Sequence, residues 1–175
     1  MKVGYFGKIN GMYQPIGDLY KILDYLTISP YSIEDIDCEF YSGGYGMPKI
    51  KHDRIKVLDY LTYDEAIKRM YQMDMLIIFG WRGNRGWRPQ KLFEYMKIGK
   101  PILPIGIKDN TELILTLLSC NMIPVGAITS LESTALYLRR MYHCPNVLFH
   151  NNIKKYDIKT VSDELEGIIN DISQR

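Results

Sequence analysis

The residues whose types and spacing could do chemistry fall in one stretch, Trp81 to Leu103. Arg82, Arg85 and Arg88 lie within seven positions, and Lys91 and Glu94 follow closely. A guanidinium presents planar, permanently charged donors that match the oxygens of a carboxylate or phosphate. No aspartate or glutamate stands between Asp74 and Glu94 to neutralise the cluster locally. Left uncompensated, the charge costs stability, so the pattern predicts an anionic ligand, with phosphate the leading class. Lys91 adds to this, because a cation in the first turn of a helix opposes the macrodipole unless an anion is bound there. Glu94 has two readings. It can pair across one helical turn with Lys91 or Lys97 on the surface, a contact worth little. It can instead accept hydrogen bonds from vicinal hydroxyls, as an acidic residue does for ribose in dinucleotide folds. Trp81 and Trp87 could stack on a base or sugar, or pack over the arginine stems.

These side chains need a strand, a loop and a helix to position them. The apolar run Met75 to Phe79 reads as a buried strand, which the glycine- and arginine-rich residues after it cannot continue. Pro89 suits a first helical position, and the helix is expected to run to about Ile98 with Leu92, Phe93 and Met96 as its buried face. Gly99 is its natural stop, and Pro101-Ile102-Leu103 opens another apolar run. In an open parallel sheet, a loop leaving the carboxyl end of a strand and entering a helix is where anions bind.

The rest of the chain repeats this alternation. Strands are expected at Val3–Phe6, Ile36–Tyr41, Arg54–Leu58, Met73–Phe79, Ile102–Ile105 and Ile123–Ala127, with a short edge strand at Asn146–Phe149. Helical spacing marks Ile16–Thr27, ended by Ser29-Pro30. It marks three more helices around Ala66, Ile67 and Met70, around Leu113 to Leu118, and around Leu131 to Tyr142. A terminal amphipathic helix is expected through Val161, Leu165, Ile168, Ile169 and Ile172. Thr62 with Glu65 and Thr129 with Glu132 fit capping boxes, and Asn110 or Asp109 caps the helix at Leu113. Strands alternating with helices predict an α/β fold, a Rossmann-like doubly wound parallel sheet of about six strands with helices on both faces. Residues 1–175 read as one domain, with Asn151–Asp157 the one plausible linker. The glycines of Ser42 to Pro48 lack the GxGxxG spacing of a dinucleotide loop.

Composition narrows the function classes. With 22 Lys and Arg against 20 Asp and Glu, the net charge of +2 argues against wholesale nucleic-acid binding, so any positive patch is local. Cys38, Cys120 and Cys144 are dispersed and read as reduced, buried thiols. His52, His143 and His150 lack ligand spacing and read as loop or surface residues, and Asp109 and Asp157 as cap and loop residues. No metal is expected. The chain opens without a signal-peptide-like segment, and no apolar run approaches the roughly 20 residues of a spanning helix. A cytoplasmic location is expected, with any membrane contact made through a further domain.

The run Pro89-Gln90-Lys91-Leu92-Phe93-Glu94-Tyr95-Met96-Lys97-Ile98-Gly99-Lys100-Pro101-Ile102 resembles the P-x-K-x-F-E-Y-x-x-x-G-K-P-I segment of GT-B glycosyltransferases, most of all family 4. The resemblance is to their C-terminal, nucleotide-sugar donor-binding domain and extends over nearly the whole chain. Val3-Gly4-Tyr5-Phe6-Gly7 is similar to the opening strand and glycine of that domain. Asp59 to Ala66 is similar to its base-binding turn and following helix, and Asp74-Met75-Leu76 to the start of its fourth strand. The resemblance implies that Glu94 binds the nucleotide ribose and that Lys91 and its helix start lie near the diphosphate. It places Gly7 and Lys8 beside the phosphates, and Tyr60, Leu61 and Thr62 around the base. The implied substrate is a nucleoside-diphosphate sugar, with no cofactor and no metal. The implied reaction is transfer of a hexosyl group, with retention of configuration, to a glycan or lipid-linked acceptor.

Two features depart from that family. Gly86 stands where many members carry a first glutamate, and of the usual basic pair after the first glycine loop only Lys8 is close. Arg82, Arg85 or Arg88 are the candidate substitutes at the diphosphate. Family members also carry a second, acceptor-binding domain on the N-terminal side, for which 175 residues leave no room. The chain is then the donor-binding half of a longer protein, a half that works with a separate chain, or a domain repurposed as a non-catalytic nucleotide- or partner-binding module. The first reading is preferred, with the isolated domain inactive alone.

Overall fold

A computed structural model describes residues 1–28, 32–42, 48–120, 122–124 and 130–144. The chain alternates β1 (Lys2–Phe6), α1 (Ile16–Tyr25), β2 (Asp37–Tyr41), β3 (Ile55–Leu58), α2 (Tyr63–Tyr71), β4 (Met75–Phe79), α3 (Gln90–Ile98), β5 (Ile102–Ile105), α4 (Thr111–Ser119) and α5 (Leu131–His143). The strands form one all-parallel sheet in the order β3-β2-β1-β4-β5. On it α1 packs with α5, and α2 packs with α3. This is the expected Rossmann-like, doubly wound α/β architecture. Five strands are found among the described residues. Most of the expected sixth strand, the glycine loop at 43–47, Thr129, the edge strand at Asn146–Phe149, the linker and the terminal helix lie outside them.

Burial explains the order of the strands. All five residues of β4 are buried, as a parallel strand covered on both faces requires. The edge strand β3 buries only Ile55. The expected capping box opens α2, where Glu65 accepts from the Thr62 amide at 3.0 Å and from the Thr62 hydroxyl at 2.6 Å. Gly99 stops α3 in the left-handed region at φ 73°, a conformation that costs other residues about 1 kcal/mol or more.

Several local expectations need correction. Pro89 is the extended residue just before α3 rather than its first helical residue. The buried face of α3 is Leu92, Tyr95, Met96 and Ile98, whereas Phe93 is 37% exposed. The helix winds 100° per residue, so Phe93 turns away from the face that Leu92 and Tyr95 share with Met96. The box that opens α5 is Ser130 with Ser133, not Glu132. Cys144 is exposed, while Cys38 and Cys120 are buried and free.

One polar cluster is set into the apolar frame. Arg69 of α2 donates to both carboxylate oxygens of Glu39 on β2, at 2.9 and 2.7 Å, and the Tyr41 hydroxyl donates to Glu39 at 2.6 Å. Burial alone would push the Glu39 carboxyl up. The bonds from Tyr41 and Arg69 and the Arg69 charge outweigh it and hold the carboxyl below its ordinary value. A depressed folded value means stability that is complete above the unfolded value, about 4.3, and lost as pH falls through the folded one. Arg69→Met should therefore destabilise the fold by about 2 kcal/mol in urea unfolding at neutral pH, because Glu39 is left charged and unpartnered. The difference from wild type should shrink as pH is lowered toward 3; a difference that stays constant with pH would contradict this account.

Candidate functional site

The strand order creates the site. From β1 the chain moves outward through β2 to β3, then returns to place β4 on the other side of β1. The connections leaving β1 and β4 therefore diverge, and a crevice opens at their carboxyl ends, the usual ligand position in such sheets. Two cavities lie there. The first, about 310 Å³, is lined by Phe6, Tyr41, Tyr60, Leu61, Thr62, Tyr63 and Ala66, with Gly7 and Lys91. The second, about 270 Å³, lies over β4 and is walled by Lys8, Trp81, Trp87 and Gln90, again with Gly7, Tyr60 and Lys91. Gly7, Tyr60 and Lys91 thus border both.

Each wall is fixed by identifiable bonds. Gly7 has φ 146°, a value that favours glycine, and its amide donates to the Tyr41 carbonyl at 3.2 Å. The loop after it is held from beneath by Gln14, which accepts from the Asn10 amide at 2.7 Å and donates to the Tyr5 hydroxyl at 3.1 Å. Burial pushes the Tyr5 phenol up to about 12, against a small opposing effect of Gln14, so it stays neutral and donates to the Lys8 carbonyl at 3.0 Å. The capping box fixes the turn through Thr62. The Tyr41 ring, stacked on Phe6 at 4.9 Å, makes the floor. The fully buried Tyr95 hydroxyl accepts from the Phe6 amide at 3.1 Å and so ties α3 to the end of β1.

The start of α3 is electrostatically open. Among the described helices it alone has neither a side-chain cap nor an acid in its first turn. Its free amides and the positive end of its dipole face the crevice side with Lys91. The Lys91 ammonium pairs with Glu94 at 2.6 Å, with side chains 30% and 17% exposed, so this is a half-buried contact rather than the surface pair first considered. Glu94 itself lines the neighbouring groove between α2 and α3, next to Tyr63. It reaches the first cavity through Lys91, not directly.

The arginine loop is placed differently from the expectation. Arg88 pairs with Glu112 of α4, an acid that follows Arg88 by 24 residues and that a local search of the sequence could not connect to the cluster. Arg82 lines a separate cavity of about 380 Å³ with Asp18 and Asp109, beside the start of α5. Arg85 is exposed. None of the three lines the two cavities over the crevice. The loop is anchored all the same. The Arg82 amide donates to the Tyr13 carbonyl at 2.9 Å. Asn110 occupies the position before α4, but its side chain does not cap that helix. Its amide accepts from the Trp81 amide at 3.0 Å and donates to the Asn84 carbonyl. Trp81 packs on Tyr13 and on Trp87.

The structure therefore brings together Gly7, Lys8, Lys91, Tyr60, Leu61 and Thr62, sets Glu94 one step away, and disperses Arg82, Arg85 and Arg88. Sequence reasoning missed Gln14 and Tyr95, and gave Asn110 the role of a helix cap rather than of an anchor for the arginine loop. Tyr95 carried a signal, since it stands three residues after Leu92 on the same helical face. For Gln14 and Asn110, polar residues beside helix starts, only burial reveals the role: 6% and 2% exposed. Among the described residues, no group of three or more His, Cys, Asp or Glu side chains could hold a metal, and no helix is long and apolar enough to cross a membrane.

Removing the Tyr95 hydroxyl isolates its role. Tyr95→Phe keeps the ring but strands the buried Phe6 amide, and should cost about 1 to 3 kcal/mol in urea unfolding. Amide exchange at Phe6 should accelerate more than at β4; equal acceleration across the sheet would show that the bond has no local role.

No family model matches this chain and neither does any curated protein, which leaves the geometry of the crevice as the basis for a functional assignment.

Proposed function

We propose that this chain binds a nucleoside-diphosphate sugar and is the donor-binding domain of a glycosyltransferase with the GT-B fold, acting in hexosyl transfer to a glycan or lipid-linked acceptor. The observation that carries this reading is the meeting of two cavities at Gly7, Tyr60 and Lys91. A ligand spanning them has a flat apolar end, an anionic middle and a further group. The first cavity offers Tyr41, Tyr60 and Leu61 to a base. The middle offers Lys91, the Gly7 turn and an uncapped helix start to a diphosphate. Of the residues that the family resemblance assigns to base and diphosphate, Gly7, Tyr60, Leu61, Thr62 and Lys91 line the first cavity and Lys8 lines the second.

In such a transfer the protein needs no nucleophile of its own. It holds the donor and stabilises the negative charge that develops on the departing diphosphate, through preorganised cations and amide dipoles. Lys91 is suited to that task because it lines both cavities and Glu94 holds its ammonium at 2.6 Å through one of its three donors. Glu94 lines the α2–α3 groove and not the first cavity, so it serves the diphosphate by holding Lys91 rather than by a direct bond to the ribose.

A second reading, a binding module without transfer activity, draws on Gly86 and on the neutralisation of Arg88 by Glu112. Under it the chain binds the nucleotide but supports no sugar transfer when joined to an acceptor-binding partner.

Calorimetric titration with UDP, GDP, ADP, NAD and FMN tests the main reading. One nucleoside diphosphate should bind selectively. Lys91→Ala should weaken it about tenfold or more, the loss of one charge-assisted contact. Glu94→Ala should weaken it as well. Preference for NAD or FMN would overturn the assignment.

A further inference from the structure

The sequence holds two tryptophans, Trp81 and Trp87, and both wall the second cavity. Neither belongs to the buried core; each is half-buried. Their ring centroids are 5.2 Å apart and their planes tilt by 43°, so they form a corner rather than a stack. Tyr13 stacks on Trp81 at 4.8 Å with planes 10° apart, which fixes one indole. The backbone behind them is anchored at Tyr13 and Asn110, and Arg88 is tied to Glu112. The corner is thus built before any ligand arrives, and binding there immobilises little that was free.

We propose that Trp81 and Trp87 form the wall that takes the glycosyl ring of the nucleotide sugar and set the specificity of the site for that ring. This rests on the nucleotide-sugar reading above. A sugar ring has apolar C–H faces and a polar rim, and half-buried indoles offer an apolar surface with a donor at one edge. Position supports the assignment. A diphosphate at Gly7 and Lys91, with the base in the first cavity, leaves the second cavity for the group beyond the phosphates. At about 270 Å³ that cavity is just below the usual range of ligand pockets, about 300 to 1,000 Å³, and suits a single ring. Charge narrows the class. Besides the indoles, the polar side chains on its wall that are not buried are Lys8, Tyr60, Gln90 and Lys91, and no carboxylate among the described residues lines it. The ring is neutral or acidic, not cationic.

Because the protein has no other tryptophan, its tryptophan emission reports this wall alone. The full chain is titrated with UDP and UDP-glucose, GDP and GDP-mannose, and UDP-glucuronate, with tryptophan emission and calorimetry in parallel. The sugar nucleotide of the selected base should bind about fivefold to tenfold tighter than its diphosphate, and it should shift tryptophan emission more. In Trp87→Ala the ratio of the two affinities should fall to about one, and in Trp87→Phe it should stay above that. A ratio near one in the wild type, or equal emission shifts for diphosphate and sugar nucleotide, overturns the wall assignment and leaves the nucleotide reading standing. Failure of every nucleotide to bind overturns both. Should Trp87→Ala not fold, as shown by circular dichroism, the wild-type emission and the Trp87→Phe ratio decide the matter.

Discussion

The bond from the Phe6 amide to the Tyr95 hydroxyl sets the geometry on which the site depends. It joins the last residue of β1 to the middle of α3, 89 positions away in sequence, between two buried residues. β1 delivers Gly7 at its end, and α3 delivers Lys91 one turn before Tyr95. Fixing Phe6 against Tyr95 therefore fixes Gly7 against Lys91, two of the three residues that border both cavities. Burial pushes the Tyr95 phenol well up, so it stays neutral, and its oxygen accepts from the amide.

Charge in the crevice is local and economical. The chain carries almost balanced charge, and its densest basic cluster is largely turned elsewhere: Arg88 to Glu112, Arg82 to the cavity beside α5, Arg85 to solvent. What remains at the crevice is Lys91, Lys8 and the helix start of α3. The other described helices hold a cap or an acid at that place, which would repel an anion; α3 holds a lysine instead. A first-turn lysine is mildly unfavourable by itself, and Glu94 offsets it from within the same helix. The arginine loop contributes shape. Its anchors hold two indoles at the mouth of the second cavity, so the same segment that looked like a charge cluster acts through its aromatic residues.

Much of the fold was legible in the sequence because it depends on local periodicity. The five described strands and the five helices lie where apolar runs and helical spacing put them, and the Thr62–Glu65 box and the Gly99 stop are short-range patterns with one geometry each. The parallel order followed from alternation where a helix joins successive strands, as at β1–β2, β3–β4 and β4–β5; for β2 and β3, with no helix between them among the described residues, only the pairing itself shows it.

Other features were beyond that reach. Which acid would neutralise Arg88, which face Phe93 would take, and whether Gln14 and Asn110 would be solvated or buried all depend on contacts between segments far apart in the chain. The sequence by itself determined the elements, the parallel sheet and the residue types available at strand ends, because backbone hydrogen bonding and hydrophobic periodicity act over a few residues. Only the tertiary structure decided that Gly7, Tyr60 and Lys91 border one crevice, that the arginines do not, and that both tryptophans do. Side-chain direction and long-range pairing are set by how the layers pack, and no spacing along the chain encodes them.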